Sequence, residues 1–156
     1  MKKEGFTLVE LILTLTLLVV IMTLAVPNIV RMVANNRERQ LERAHNVVCE
    51  AAKVYAFRRD SCKSVASAMN ININFNVHRD DMSIMQCLRT TGFPNEMRVQ
   101  VNHLVENQLL DGNLTNPVEG GRYNYNEYIV FSRTNTLPFE LVVRIGANVN
   151  GSYSCE

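Results

Sequence analysis

From Leu11 to Val26 the chain carries no charged side chain, and only Thr14, Thr16 and Thr23 interrupt a run of Leu, Ile, Val, Met and Ala. A helix from Phe6 to Val26 would be about 30 Å long at ~1.5 Å per residue, enough to cross the hydrocarbon core of a bilayer. Glu10 places one carboxylate near its start. An ionised group in hydrocarbon costs several kcal/mol unless it reaches the surface or finds a partner, so Glu10 is a functional candidate. One helical turn after Phe6, at the positive end of the helix dipole, its charge is tolerable.

Pro27 removes one backbone hydrogen bond and kinks a helix without ending it. Beyond it, Leu41, Ala44, Val48, Ala51, Ala52 and Tyr55 form one apolar stripe at helical spacing, with charged residues between. The pattern predicts a single helix from Phe6 to Phe57, frayed at Arg58-Arg59-Asp60-Ser61. Its first half is membrane-length and its second half lies against a folded layer. No heptad persists long enough for a coiled coil.

Residues 60 to 70 are small and polar and read as a connection. Asn70 to Val77 alternates polar and apolar, as a half-buried strand or a pinned extended loop does. Asp80-Asp81 followed by Met82, Ile84, Met85 and Leu88 predicts a short helix with an acidic first turn, ending near Gly92, its methionines serving as adaptable core. A second short helix is expected from Val101 to Leu110, stopped by Asp111-Gly112. Tyr123 to Ser132 and Phe139 to Ile145 read as strands, and Asn150-Gly151 as a hairpin turn that folds Ser152 to Cys155 back. An antiparallel meander covered by the helix stripe makes an α+β layer pair.

The start of the chain has a further pattern. A secretory signal places its small-residue cleavage site after the apolar core. Here Gly5 stands before it, behind Met1-Lys2-Lys3-Glu4, and is followed by Phe6-Thr7-Leu8-Val9-Glu10. This string resembles the prepilin signature of type IV pilins and pseudopilins. The resemblance implies cleavage after Gly5 and N-methylation of Phe6 as the new N-terminus. It implies that Glu10 sets register against the amino group of a neighbouring subunit, and it matches Pro27 to a proline often found in the family. The implied organisation is a leader at 1–5, a transmembrane and fibre-core helix at 6–27, and a pilin-like globular domain at 28–156. The remaining ~125 residues suit one domain. Implied partners are other pilins, a prepilin peptidase, an inner-membrane assembly platform and, before assembly, membrane lipid. The implied location is the cytoplasmic membrane with the C-terminal domain outside, then an extracellular fibre. Arg31, Arg37, Arg39 and Arg43 follow the apolar run, so the leader's placement on the cytoplasmic side rests on the resemblance and not on the charge count.

Within that class the chain reads as a fibre subunit. The alternatives are a minor pilin or pseudopilin of a type II secretion or competence DNA-uptake system, a tip adhesin, and a signal-anchored extracytoplasmic domain. The net charge is +1, with eight Lys or Arg against four Asp or Glu in residues 31 to 63 and six against nine in residues 79 to 156. A solvated helical face accounts for this, whereas a nucleic-acid surface calls for a denser basic patch.

Nothing in the sequence argues for an enzyme, a cofactor or a metal. His45, His78 and His103 lack paired ligand spacing, and no serine sits in a nucleophile motif. Gly120-Gly121 makes a turn. Tyr123, Tyr125 and Tyr128, interleaved with Asn124, Asn126 and Glu127, read as a tyrosine-covered strand face or as stacking groups for a sugar or base. Asn113-Leu114-Thr115 and Asn150-Gly151-Ser152 fit the glycosylation acceptor pattern, which carries little weight in a bacterial chain. Cys49, Cys62, Cys87 and Cys155 allow three pairings, and an extracytoplasmic setting favours disulfides over zinc or reduced thiols. Cys62 is expected to join Cys87 or Cys155, with Cys49 bonded or buried. The resemblance implies a staple near the C-terminus, a purpose that Cys155 would serve.

Overall fold

The computed structural model describes residues 7–71, 81–118, 120–135, 138–146 and 153–155. Helix α1 runs from Leu8 to Phe57, through Pro27. The chain divides into two compact units, Met1–Arg39 and Gln40–Glu156. In the first, every described side chain is exposed except the half-buried Ala25, and Leu13 and Leu24 are 68% and 69% exposed.

The second unit holds the core. Its part of α1 buries Ala44, Val48, Cys49, Ala51, Ala52, Tyr55 and Ala56, the stripe expected from the spacing apart from Leu41, which is half-buried. After it come α2 (Ser61–Ala68), α3 (Ile84–Arg89), β1 (Glu96–Gln100), α4 (Val101–Glu106), β2 (Thr115–Asn116) and β3 (Gly121–Arg122). The last elements are β4 (Tyr128–Arg133), β5 (Leu141–Ile145) and β6 (Tyr153–Cys155). The main sheet is antiparallel in the order β1-β4-β5-β6, and β2 and β3 form a separate ribbon. A long N-terminal helix followed by this sheet is the α+β, pilin-like architecture that the resemblance implies.

Register explains the packing. Met97, Phe131, Val143 and Cys155 stand in one cross-strand row, and Val99, Ile129, Ile145 and Tyr153 in the next. Side chains alternate across a strand, so both rows share one face, and all of these residues belong to or pack against the core. Within this unit α1 meets the sheet through the Cys49–Cys155 disulfide and a 2.8 Å hydrogen bond from the Tyr153 hydroxyl to Asn46 Oδ1. The second disulfide, Cys62–Cys87, ties α2 to α3. Of the pairings left open by the sequence, the structure selects these two.

Several expectations are corrected. Residues 60 to 70 are not a plain connection, because Cys62, Val65 and Ala66 bury one side of α2. Their helical spacing is hidden among serines and a lysine. The helix after Asp81 has no acidic first turn. It begins at Ile84 on a capping box, in which Ser83 Oγ accepts the Gln86 N–H and the Gln86 side chain accepts the Ser83 N–H, and it ends at Arg89, short of Gly92. The helix from Val101 stops at Glu106 instead of Leu110, because Gln108 adopts φ +59° and reverses the chain.

The strand expected from Tyr123 begins only at Tyr128. Asn124 Oδ1 accepts the Asn126 N–H, and the Asn124 carbonyl accepts the Glu127 N–H, a side-chain-stabilised turn that competes with strand. Strand β1 was not expected, since five residues directly followed by a helix give too short a run to read. The alternating stretch is described only as far as Ile71, so its remainder lies outside the described residues, as do Asn150 and Gly151. The expected return strand is present as β6.

Candidate functional site: the start of the long helix

Thr7 stands just before α1. Its carbonyl accepts the N–H groups of Glu10 and Leu11 at 3.1 and 3.2 Å, and its Oγ1 lies 3.4 Å from the Glu10 nitrogen. Thr7-Leu8-Val9-Glu10 therefore has the spacing of a helix N-cap with an acid at the third helical position. Glu10 sits in the first turn, where orphan N–H groups and the dipole favour an anion by about 0.3–1 kcal/mol. Sequence reasoning fixed on Glu10 and missed Thr7, although the S/T-x-x-E pattern was present to be read. Gly5 and Phe6 lie outside the described residues.

Three hydroxyls interrupt the apolar run, and each is satisfied within the helix. Thr14 donates to the Leu11 carbonyl at 2.9 Å, Thr16 to Leu13 at 2.9 Å and Thr23 to Val20 at 2.8 Å. A hydroxyl already bonded to its own backbone imposes little penalty in lipid, so these threonines do not spoil a membrane segment. Near Pro27, Asn28 Nδ2 donates to the Leu24 carbonyl at 3.2 Å. Among the described residues α1 is the one helix long and apolar enough to cross a membrane.

The other candidates are dispersed. His45 packs between Tyr123 and Tyr153, with ring centroids 5.7 and 4.8 Å away. His103 Nε2 lies 2.8 Å from the Tyr55 hydroxyl and 3.0 Å from Ser64 Oγ, joining α4 to α1 and α2, and Nδ1 is 3.7 Å from Glu106. Burial lowers the pKa of both histidines, opposed by the nearby carboxylates Glu127 and Glu106. His78 lies outside the described residues. Tyr123 is buried and donates to Glu127 Oε2, and burial together with that carboxylate pushes its phenol pKa up. Tyr125 bonds across the loop, donating to the Asp111 carbonyl and accepting the Leu114 N–H. The Tyr123 and Tyr125 rings meet edge-on at 6.0 Å, while Tyr128 is exposed, so the three do not form the single tyrosine-covered strand face expected.

Gly120 has φ +71° in the turn between β2 and β3. Asn113 lies in a turn where Asp111 accepts its N–H, and Asn150 is outside the described residues. Among the described residues no three His, Cys, Asp or Glu side chains group as metal ligands.

Fold and helix start together describe an α+β chain of pilin-like architecture whose N-terminal helix is long and apolar enough to cross a membrane. Residues 1–26 match the family model of the prokaryotic N-terminal methylation motif, the prepilin signature of type IV pilins. No curated protein and no solved structure matches the chain. The motif points to a structural protein of the pilin type, one processed by a prepilin peptidase and assembled with other pilins.

Proposed function

We propose that the chain is a structural subunit of a type IV pilus-like fibre. The observation that carries this reading is the methylation motif running directly into the apolar part of α1, where every large apolar side chain from Leu8 to Val33 is exposed. In this account a prepilin peptidase cuts after Gly5, removing the leader at residues 1–5, and Phe6 is N-methylated. Residues 6–27 then hold the protein in the cytoplasmic membrane, with residues 28–156 outside, until an inner-membrane assembly platform moves it into the fibre. Apolar helices that leave lipid for one another gain little hydrophobic energy, so shape and polar pairing must decide which arrangement forms. Glu10 supplies that pairing, its carboxylate meeting the α-amino group of a neighbouring subunit's Phe6.

Glu10→Ala tests the assignment. Membrane content of the variant should equal that of the parent, while its content in sheared fibres falls at least about tenfold, the loss of roughly 1.4 kcal/mol of discrimination. Parent-level incorporation would remove Glu10 from the assembly step.

A further inference from the structure

A cleft of about 590 Å³ opens on the globular unit between the end of α2, the outer edge of β1, α4 and the start of β4. Its volume falls in the ~300–1,000 Å³ range of small-molecule sites. The outer edge of β1 is open to it. The Arg98 N–H turns away from β4 and donates to Met69 Sδ at 3.1 Å, a weak acceptor for a strand amide. Tyr128, opposite Gln100 in register, is the one exposed tyrosine of its segment, the residue being 42% exposed.

The polar groups on the wall are balanced in charge. The Arg98 guanidinium is held by Glu96, with Nε and Nη2 both 2.6 Å from Oε1, and Arg144 Nη2 lies 3.8 Å from the other oxygen of the same carboxylate, so two arginines stand against Glu96 and Glu106. Asn102 Nδ2 donates to Glu106 Oε1 at 2.8 Å, which leaves the amide oxygen as an acceptor, while Glu106 Oε2 lies 3.7 Å from His103 Nδ1 and keeps further acceptor capacity. Half-buried against the Tyr55 and Ser64 hydroxyls, His103 has its pKa lowered by burial and so favours its neutral form. With its arginine already paired and a carboxylate opposite, the cleft offers no field for a polyanion. It presents a flat aromatic face, two side-chain amides, a carboxylate and a guanidinium. That set matches a ring with one apolar C–H face and a rim of vicinal hydroxyls, which pack on an aromatic ring and both donate and accept at the edge. We propose that this cleft binds a neutral saccharide unit, with Tyr128 as the stacking platform and Gln100, Asn102 and Glu106 as the hydroxyl readers. The proposal concerns the globular unit and does not depend on assembly into a fibre.

The test uses the full chain in a sugar-free zwitterionic detergent, isotope-labelled for NMR. The probes are methyl glycosides of glucose, galactose, mannose, N-acetylglucosamine and N-acetylgalactosamine, each to about 10 mM, weak affinities being expected of one monosaccharide. At least one glycoside should shift the amides of Gln100, Asn102 and Tyr128. Tyr128→Ala and Glu106→Gln, both at exposed positions, should each weaken that response about tenfold with the remaining spectrum unchanged. Absence of any shift at this face, a response that survives both substitutions, or shifts produced only by a single-stranded oligonucleotide or a sulfated polymer would overturn the proposal.

Discussion

Ser61 has no exposed surface, yet its hydroxyl satisfies two backbone groups, donating to the Arg58 carbonyl at 2.8 Å and accepting the Ile84 N–H at 3.0 Å. One side chain thereby closes the end of α1 and the start of α3. Ser61→Ala leaves a buried N–H without its acceptor and should cost about 1–3 kcal/mol, read from equilibrium denaturation of the oxidised chain. His45 and His103 set a pH dependence. Their folded-state pKa values lie below the usual 6.5, so on acidification the unfolded chain takes up protons before the folded chain does. Stability should therefore be full above the unfolded value and decline as pH falls through it toward the lower folded values. His103→Gln should flatten that decline, and an unchanged slope between pH 7.5 and 5.5 would contradict the assignment. These roles were not legible in the sequence. Ser61 and His103 act through partners 23 and 48 residues away, which no local pattern announces.

Helices α2 and α4 end in the same way. The Ile71 N–H returns to the Ala66 carbonyl and the Asn70 N–H to Ser67, while Leu109 returns to Leu104 and Gln108 to Val105. Both are Schellman closures, with Asn70 at φ +53° and Gln108 at φ +59° in the left-handed position. Asn tolerates that conformation through its short polar side chain, whereas Gln bears the Cβ penalty without that relief. Gln108→Gly should stabilise the chain by about 0.5–1 kcal/mol, and Asn70→Gly by less, in the same denaturation assay. A destabilised Gln108→Gly would show that the glutamine side chain has a contact of its own. Pattern strength decided which elements could be read from the sequence. The long helix, β5 and the return of β6 follow from sustained periodicity or a strong turn signal. Helix α2 and strand β1 escaped because eight and five residues carry too little of either period. The Tyr-Asn segment misled because alternation mimics a strand while asparagine side chains make turns.

Two features set the physical character of the whole chain. Along Leu8 to Val33 the large apolar side chains are exposed, a surface that needs lipid or other helices to cover it. The globular unit, by contrast, is closed on itself by two cross-links. In the chain-entropy account, loops of 25 and 106 residues are worth about 3.5 and 4.8 kcal/mol respectively. The larger loop joins the last strand to the buried stripe of α1, so the C-terminus is held to the core through Cys155. The sequence made the membrane-length helix and the cleavage string plain. It left the cysteine pairing open because three-dimensional proximity, not spacing, decides it.

The central claim is that this chain is cut after Gly5 and enters a fibre from its new N-terminus. Intact-mass and N-terminal analysis of the protein in sheared surface material, before and after reduction, tests it most directly. The account predicts a chain beginning at Phe6 with one added methyl group, which gains four hydrogens on reduction as two disulfides open. A surface chain that still begins Met1-Lys2-Lys3 would contradict it.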